Sequence, residues 1–257
     1  MKAIIVNCAD TFEYRVDMVY DSFISMGYDV EVLTTDYMHI EKKKRVVEKK
    51  DYLAINTIPY KKNISFARLY SHYDFEKKVD KILERKYFEV LYLVVPANSI
   101  ARLAKKYSKY KNIKIIIDII DLWPESLPIK ITDKFPFTIW ANVRNKNIKY
   151  ADYVITECNL YKEKLRKQLK DKKNCTLYWC HRNIGKEYVL SKTVSNILTL
   201  CYLGSINNII DIAKIGEIVK QLVNKQPVVI KLIATGERKT DLIRELKNAG
   251  AEIIDYG

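Results

Sequence analysis

Short apolar runs and amphipathic stretches alternate along almost the whole 257-residue chain. Ala3-Ile-Ile-Val-Asn7 predicts a buried strand; from there the apolar positions Phe12, Val16, Val19, Tyr20 and Phe23 follow one helical face, which Gly27 closes. A strand is predicted at residues 30–34 and, past a basic stretch at 42–50, another at 52–58. The helix predicted at 66–86 carries Phe66, Leu69, Tyr70, Tyr73, Val79, Ile82 and Leu83 on its expected inner side. Further strands are predicted at 88–95, 113–119, 152–156 and 175–179, and helices at 97–107, 136–150 and 160–169. A helix after every strand predicts a parallel sheet covered on both faces.

Residues 183–196, with Gly185, Ser191, Thr193 and Ser195, read as a linker, after which the pattern restarts. Strands at 198–203, 228–234 and 251–255 enclose helices at 210–223 and 240–249. Three strands and two helices are half of a six-stranded Rossmann domain. The fold expected is therefore α/β, two Rossmann-type doubly wound parallel-sheet domains at 1–185 and 196–257, the second incomplete with an unpaired sheet edge.

A hydrophobic content of 48% beside 30% charged residues excludes a disordered chain. The apolar run at 3–6 meets Asn7 and Asp10 too soon for a signal peptide, and the longest uncharged stretch, 90–101, is broken by Pro96 and Asn98. It falls short of the roughly 20 residues a spanning helix needs. Five cysteines without a C-x-x-C pair point to a reducing cytosol, with Cys8 and Cys201 expected to be small buried thiols. Cys175, Cys180 and His181 lack a fourth partner for a metal, so packing is the expected role.

Charge narrows the partners. Of the formal +14, residues 1–200 carry +13. Such an excess favours phosphates, nucleic acid or an anionic bilayer. No aromatic RNA-binding motif, zinc finger or helix-turn-helix supports nucleic acid. The segment 130–150, with Phe135, Phe137, Ile139 and Trp140 among its lysines, suits docking at the inner face of a membrane and equally suits burial of those rings. Asn7-Cys8-Ala9-Asp10-Thr11-Phe12 holds no glycine where a nicotinamide-binding domain would carry G-x-G-x-x-G.

Three strings carry a resemblance. Asp118-Ile-Ile-Asp121-Leu122-Trp123-Pro124-Glu125-Ser126 resembles the first-domain motif of the family 4 glycosyltransferases that build bacterial surface polysaccharides. Leu203-Gly204-Ser205-Ile206-Asn207-Asn208 resembles the strand and loop opening their second domain, and Ala234-Thr235-Gly236-Glu237-Arg238 its second glycine turn. The resemblance implies the GT-B architecture and retaining transfer of a sugar from a nucleotide diphosphate to an acceptor hydroxyl, with no cofactor and no metal. The D-x-x-D of Asp118 and Asp121 is not the D-x-D of metal-dependent transferases.

The resemblance makes 1–185 the acceptor side and 196–257 the donor side. It implies catalytic roles for Asp121 and Asp118 at a cleft edge, with Glu157 just past a strand as a further candidate. Donor contacts are implied for Gly204, Ser205, Asn207, Gly236 and Arg238. Either glycine could equally be a turn former, and Asp121 an N-cap. Where many members hold the diphosphate with Arg and Lys, this chain has Asn207, Asn208, Ile209 and Ile210, leaving Arg238 or Lys239 to compensate. The expected partners are a nucleotide sugar, a lipid-linked or other saccharide acceptor and an anionic membrane surface. The rival expectation is a truncated, non-catalytic product or a half-enzyme completed by a partner chain.

Overall fold

A computed structural model describes residues 1–127, 134–178 and 196–257. The chain divides into two compact units, Met1–Ile184 and Gly185–Gly257. The first opens with β1 (Lys2–Asn7), α1 (Glu13–Ser25) and β2 (Asp29–Thr35), followed by a small hairpin of β3 (Tyr37–Met38) and β4 (Lys43–Lys44). Then come β5 (Tyr52–Ile55), α2 (Phe66–Leu83), β6 (Val90–Val95), α3 (Ala101–Tyr107), β7 (Lys114–Ile119) and α4 (Phe137–Ile148). It ends with β8 (Tyr153–Thr156), the short helices α5 (Asn159–Lys164) and α6 (Arg166–Leu169), and β9 (Lys173–Thr176).

Seven of these strands make one parallel sheet in the order β5-β2-β1-β6-β7-β8-β9. Ile5 of β1 stands opposite Val32 of β2 and Tyr92 of β6. Alternate residues of β1 feed opposite faces: Ile4 and Val6 join Phe75, Val79 and Leu93 in one core, while Ala3 and Ile5 join Val16 and Val19 in the other. The chain moves outward from β1 through β2 to β5, then returns to β1's other side with β6. The strand order therefore reverses between β1 and β6, the position where open α/β sheets leave a crevice at their carboxyl edge.

Three expectations need correction. No helix joins β2 to β5; the start of the basic stretch instead supplies β4, which pairs with β3 in the hairpin. In α2 the buried side is Ser71, His72, Phe75, Glu76, Val79 and Leu83, while Phe66, Tyr70 and Tyr73 are exposed. Residues 72, 75, 76, 79 and 83 keep perfect helical phase, so the core here admits a histidine and a glutamate and turns the aromatics outward. Cys201 is exposed instead of buried, because alternate β10 side chains point away from the helices. Trp179, Cys180, His181 and most of the expected linker lie outside the described residues.

The second unit holds β10 (Leu198–Ser205), α7 (Ile212–Val223), β11 (Val228–Thr235), α8 (Lys239–Asn248) and β12 (Glu252–Asp255). Its three parallel strands run in the order β10-β11-β12. One face packs Ile230, Leu232 and Ala234 against Ile212, Val219, Leu242 and Leu246. On the other, Cys201, Leu203, Ile233 and Ile254 are exposed. Among the described residues no helix is long and apolar enough to cross a membrane.

Candidate functional site

The crevice at the reversal of strand order is a real cavity of about 160 Å³. Cys8 and Ala9 line it just past β1, Pro96 and Ala97 just past β6, and Asp121 just past β7. The buried Asn7 side chain shapes the first of these loops, donating to the Ala9 carbonyl at 2.9 Å and accepting from the Ala9 N–H at 3.1 Å. Thr11 and Phe12 add to the wall before α1, and the rest includes residues the motifs did not single out: His39 from the hairpin, Tyr60, and Arg68 and His72 from α2. His72 at a buried position of a helix that reads as apolar was the available signal.

Arg68 dominates the cavity's electrostatics. Its guanidinium lies 4.9 Å from the Trp123 ring and 5.8 Å from the Tyr60 ring. Its Nη1 donates to the Asn63 carbonyl at 3.0 Å, and Nε approaches His72 Nε2 at 3.5 Å. No carboxylate stands within 4.0 Å of it among the described residues. Burial lowers its pKa from the ordinary value, with Asp121 acting in the opposite direction. Burial and the Arg68 charge push His39 down to about 4 and hold His72 well below its usual value. Both imidazoles are neutral at pH 7. Burial also pushes the Cys8 thiol up to about 12, so it is not a thiolate nucleophile.

The three acidic candidates occupy different environments. Asp121 is partly exposed, lines the cavity, and accepts a hydrogen bond from Ser126 Oγ at 2.6 Å. Glu157, just past β8, is partly buried; burial raises its carboxyl pKa, and Asp118 and Asp121 add to the rise. Asp118 departs from expectation. It is completely buried within β7, its two oxygens taken by Arg15 Nε and Nη2 at 2.9 Å each and by the Tyr92 hydroxyl at 2.6 Å. An aspartate within a central strand points into a layer, and here the layer supplies the counter-ion.

Trp123, Pro124 and Glu125 form a packed corner. Trp123 stacks on Trp140 with centroids 4.9 Å apart. Its carbonyl accepts from Asn98 Nδ2 at 2.9 Å and from the fully buried Arg144 at 3.0 Å, and Arg144 also binds Glu125. Beside this corner lies an apolar pocket of about 140 Å³, lined by Leu69, Tyr73, Trp123 and Trp140, that shares His72 with the cavity. Trp123 Nε1 and Asn98 Oδ1 are buried there without a hydrogen-bond partner among the described residues.

In the second unit the glycines divide. Gly236 has φ +119, and a Cβ on it would sit 2.4 Å from the Ile206 carbonyl oxygen. Its missing side chain is therefore demanded by the neighbouring loop. Gly204 has φ +135 and nothing within 4 Å of an added Cβ, so its surroundings are open. Ser205 ends β10 paired with Thr235. Asn207 Oδ1 accepts from the Ile209 N–H, and Asn208 contacts Glu237 at 3.1 Å. Asp211 caps α7 through the Lys214 N–H, placing a carboxylate at that helix's positive end. Lys239 is paired with Asp255 at 2.8 Å, while Arg238 is held only loosely by Asp241 at 3.6 Å. Among the described residues no group of three or more His, Cys, Asp or Glu could hold a metal.

Neither a protein-family model nor a curated protein matches the sequence. Solved structures do match the fold. The lipopolysaccharide outer core galactosyltransferase WaaB, in its apo form, aligns with a TM-score of 0.63 at 14% identity over 100% of this chain and 68% of its own. Arabidopsis thaliana UGT89C1 complexed with UDP-L-rhamnose gives 0.54 at 9% identity over 99% and 70%. The UDP-N-acetylglucosamine 2-epimerase from Rickettsia bellii gives 0.52 at 12% identity over 100% and 68%. The architecture is GT-B. The chain thus spans about two thirds of the length of these proteins, and identities this low carry the fold alone, which a transferase and an epimerase share.

Proposed function

We propose that the chain is a glycosyltransferase of the retaining family 4 type, moving a sugar from a nucleotide-diphosphate donor to a saccharide acceptor in surface-polysaccharide synthesis. The observation that carries this reading is the cavity at the strand-order reversal, with Asp121 at its mouth and Arg68 desolvated in its wall. Small ligands of open α/β sheets sit at that crevice. Support also comes from the donors of the similar folds, such as the UDP-L-rhamnose bound by UGT89C1.

In this reading Asp121, oriented by Ser126, accepts a hydrogen bond from the acceptor hydroxyl or reacting sugar. Arg68 and the neutral His39 and His72 hold the acceptor's oxygens. Glu157, whose carboxyl pKa burial raises, is the acidic neighbour of Asp121 just past β8. Asp118 positions the β7 edge and touches no substrate. On the donor side, Gly204 lets the diphosphate approach the end of β10, with Ser205 and Asn207 beside it. The N-terminus of α8 offers the phosphates two cations, Arg238 at its cap and Lys239 at its first position, beside Asp241 in the first turn, whereas the cap of α7 is itself the Asp211 carboxylate. Gly236 shapes this turn. A lipid-linked acceptor is the finer form of the proposal.

The test is calorimetric titration with UDP- and GDP-sugars, followed by transfer assays with saccharide acceptors. Donor-dependent glycosylated product supports the reading. Interconversion of a free UDP-N-acetylhexosamine without any acceptor would replace it with the epimerase reaction.

A further inference from the structure

Helices α2, α3 and α4 leave between them an open groove of about 960 Å³ on the first unit. Its cations come from all three helices and the residues just after them: Lys77 of α2; Arg102, Lys105 and Lys106 of α3 with Lys109 beyond it; Lys146 of α4 with Lys149 at its C-cap. Among the described residues two carboxylates line it, Glu76 at 3.7 Å from Arg102 and Asp80 paired with Lys106 at 2.7 Å. Lys77, Lys105, Lys109, Lys146 and Lys149 have no carboxylate within 4.0 Å among the described residues. Five such ammonium groups around one concavity focus a positive potential that an anionic surface would neutralise.

An apolar shelf adjoins the lysines. On α2, Phe66 (79% exposed), Tyr70 and Tyr73 occupy one side at the spacing i, i+4, i+7, which continues to Lys77. The Tyr73 ring sits under both Lys77 and Arg102, at 5.4 and 5.2 Å, so shelf and groove are one surface. Exposed Ile139 brings α4 to the groove, with exposed Phe135 just before that helix. A nucleic acid would use the lysines and leave Phe66, Tyr70 and Ile139 in water. A bilayer uses both, because apolar side chains enter the acyl boundary while lysines meet the lipid phosphates.

We propose that this face docks on an anionic bilayer, with Lys105, Lys109, Lys146 and Lys149 at phosphate level and Phe66, Tyr70 and Ile139 in the interface. Within the expected 130–150 segment Phe137 is buried, while residues drawn from 139–150 share the groove with α2 and α3. The apolar pocket at Trp123 shares Arg102 and Val143 with the groove, so the docking face adjoins the candidate site within the same unit. The docking stands on the groove alone and does not require the transfer reading.

The test is co-sedimentation of the whole chain with vesicles of phosphatidylcholine alone or containing about 30% phosphatidylglycerol, at low salt and at about 0.5 M salt. Binding is expected only to the anionic vesicles and to weaken at least tenfold in salt. K105E/K109E/K146E/K149E should lose roughly 30-fold or more in affinity, since each lysine near a charged bilayer contributes separately. K220E/K225E/K231E/K247E, the same charge change placed in the second unit, should stay within about threefold. F66S/Y70S should weaken vesicle binding at both salt concentrations and leave circular dichroism unchanged. Equal losses in the two fourfold variants, equal binding to neutral vesicles, or tighter binding to duplex DNA than to anionic vesicles would each overturn the proposal.

Discussion

Arg15 and Asp118, 103 positions apart, meet in a buried two-pronged ion pair at 2.9 Å on each prong, and Arg15 uses its third nitrogen to donate to the Leu177 carbonyl at 2.8 Å. One side chain thus ties α1, β7 and the segment after β9. A fork of guanidinium on carboxylate fixes direction as well as distance. Removing one partner strands the other charge in the sheet. Arg15→Met and Asp118→Asn are each expected to lower unfolding free energy by about 3–5 kcal/mol, measured by urea denaturation. A loss near zero for Asp118→Asn would return that aspartate to the list of substrate contacts.

Asp121 should behave in the opposite way. Its carboxylate is partly exposed and, among the described residues, bonded to Ser126 alone, so Asp121→Asn is expected to leave the fold intact. In transfer assays it should cut turnover at least about tenfold with the melting temperature held within a few degrees, the signature of a contact made mainly in the transition state. Parallel losses of stability and turnover would make Asp121 structural.

The cavity imidazoles predict a pH dependence. His39 and His72 have folded-state pKa values below their unfolded ones, so below about pH 6.5 the unfolded chain binds more protons and stability falls as pH falls. For His39 the window runs from about 6.5 down to about 4. Glu76 and Glu157, raised by burial, act with the opposite sign above the ordinary carboxylate range. The His72 contribution is isolated by difference: the stability gap between wild type and His72→Gln should narrow from pH 7 to pH 5. A constant gap would show that His72 does not change protonation on folding.

The two glycine turns separate stability from binding. Gly236→Ala faces both the Ile206 backbone and a disfavoured φ and should destabilise the second unit severely. Gly204→Ala carries only the backbone strain, about 1–3 kcal/mol. If donor phosphates pass over Gly204, that variant should weaken nucleotide-sugar binding, in calorimetry, beyond what its stability loss explains. Unchanged affinity would place the donor elsewhere.

The second unit should also be the less protected. Its three-stranded sheet is covered on one face, and Leu203 and Ile233 lie exposed on the other. Amides of residues 198–257 are therefore expected to exchange faster than those of 3–156. Hydrogen-exchange mass spectrometry reads this directly, and equal protection would mean that the open face is covered in solution.

The alternation of apolar runs and amphipathic stretches was enough to place most strands and helices, because a parallel sheet buried on both faces writes continuous apolar strands such as β6. The resemblance of the motifs and the expected strand ends marked Asp121, Glu157, Gly204 and Gly236 as candidates; Asp121, Glu157 and Gly236 do lie just past strands, whereas Gly204 is still paired within β10. What the pattern could not supply was direction and partnership. Asp118 and Asp121 look alike in the chain, yet one faces Arg15 across 103 positions and the other an open cavity. Phe66, Tyr70 and Tyr73 look like core, yet α2 turns them outward because Phe75, Val79 and Leu83 fill the sheet-facing side. Arg68 and His72 gain meaning only where α2 crosses the crevice between β1 and β6. Periodicity is local, so sequence alone determined the elements; burial and charge pairing depend on contacts far apart in the chain, so only the tertiary structure decided which polar residues form the site.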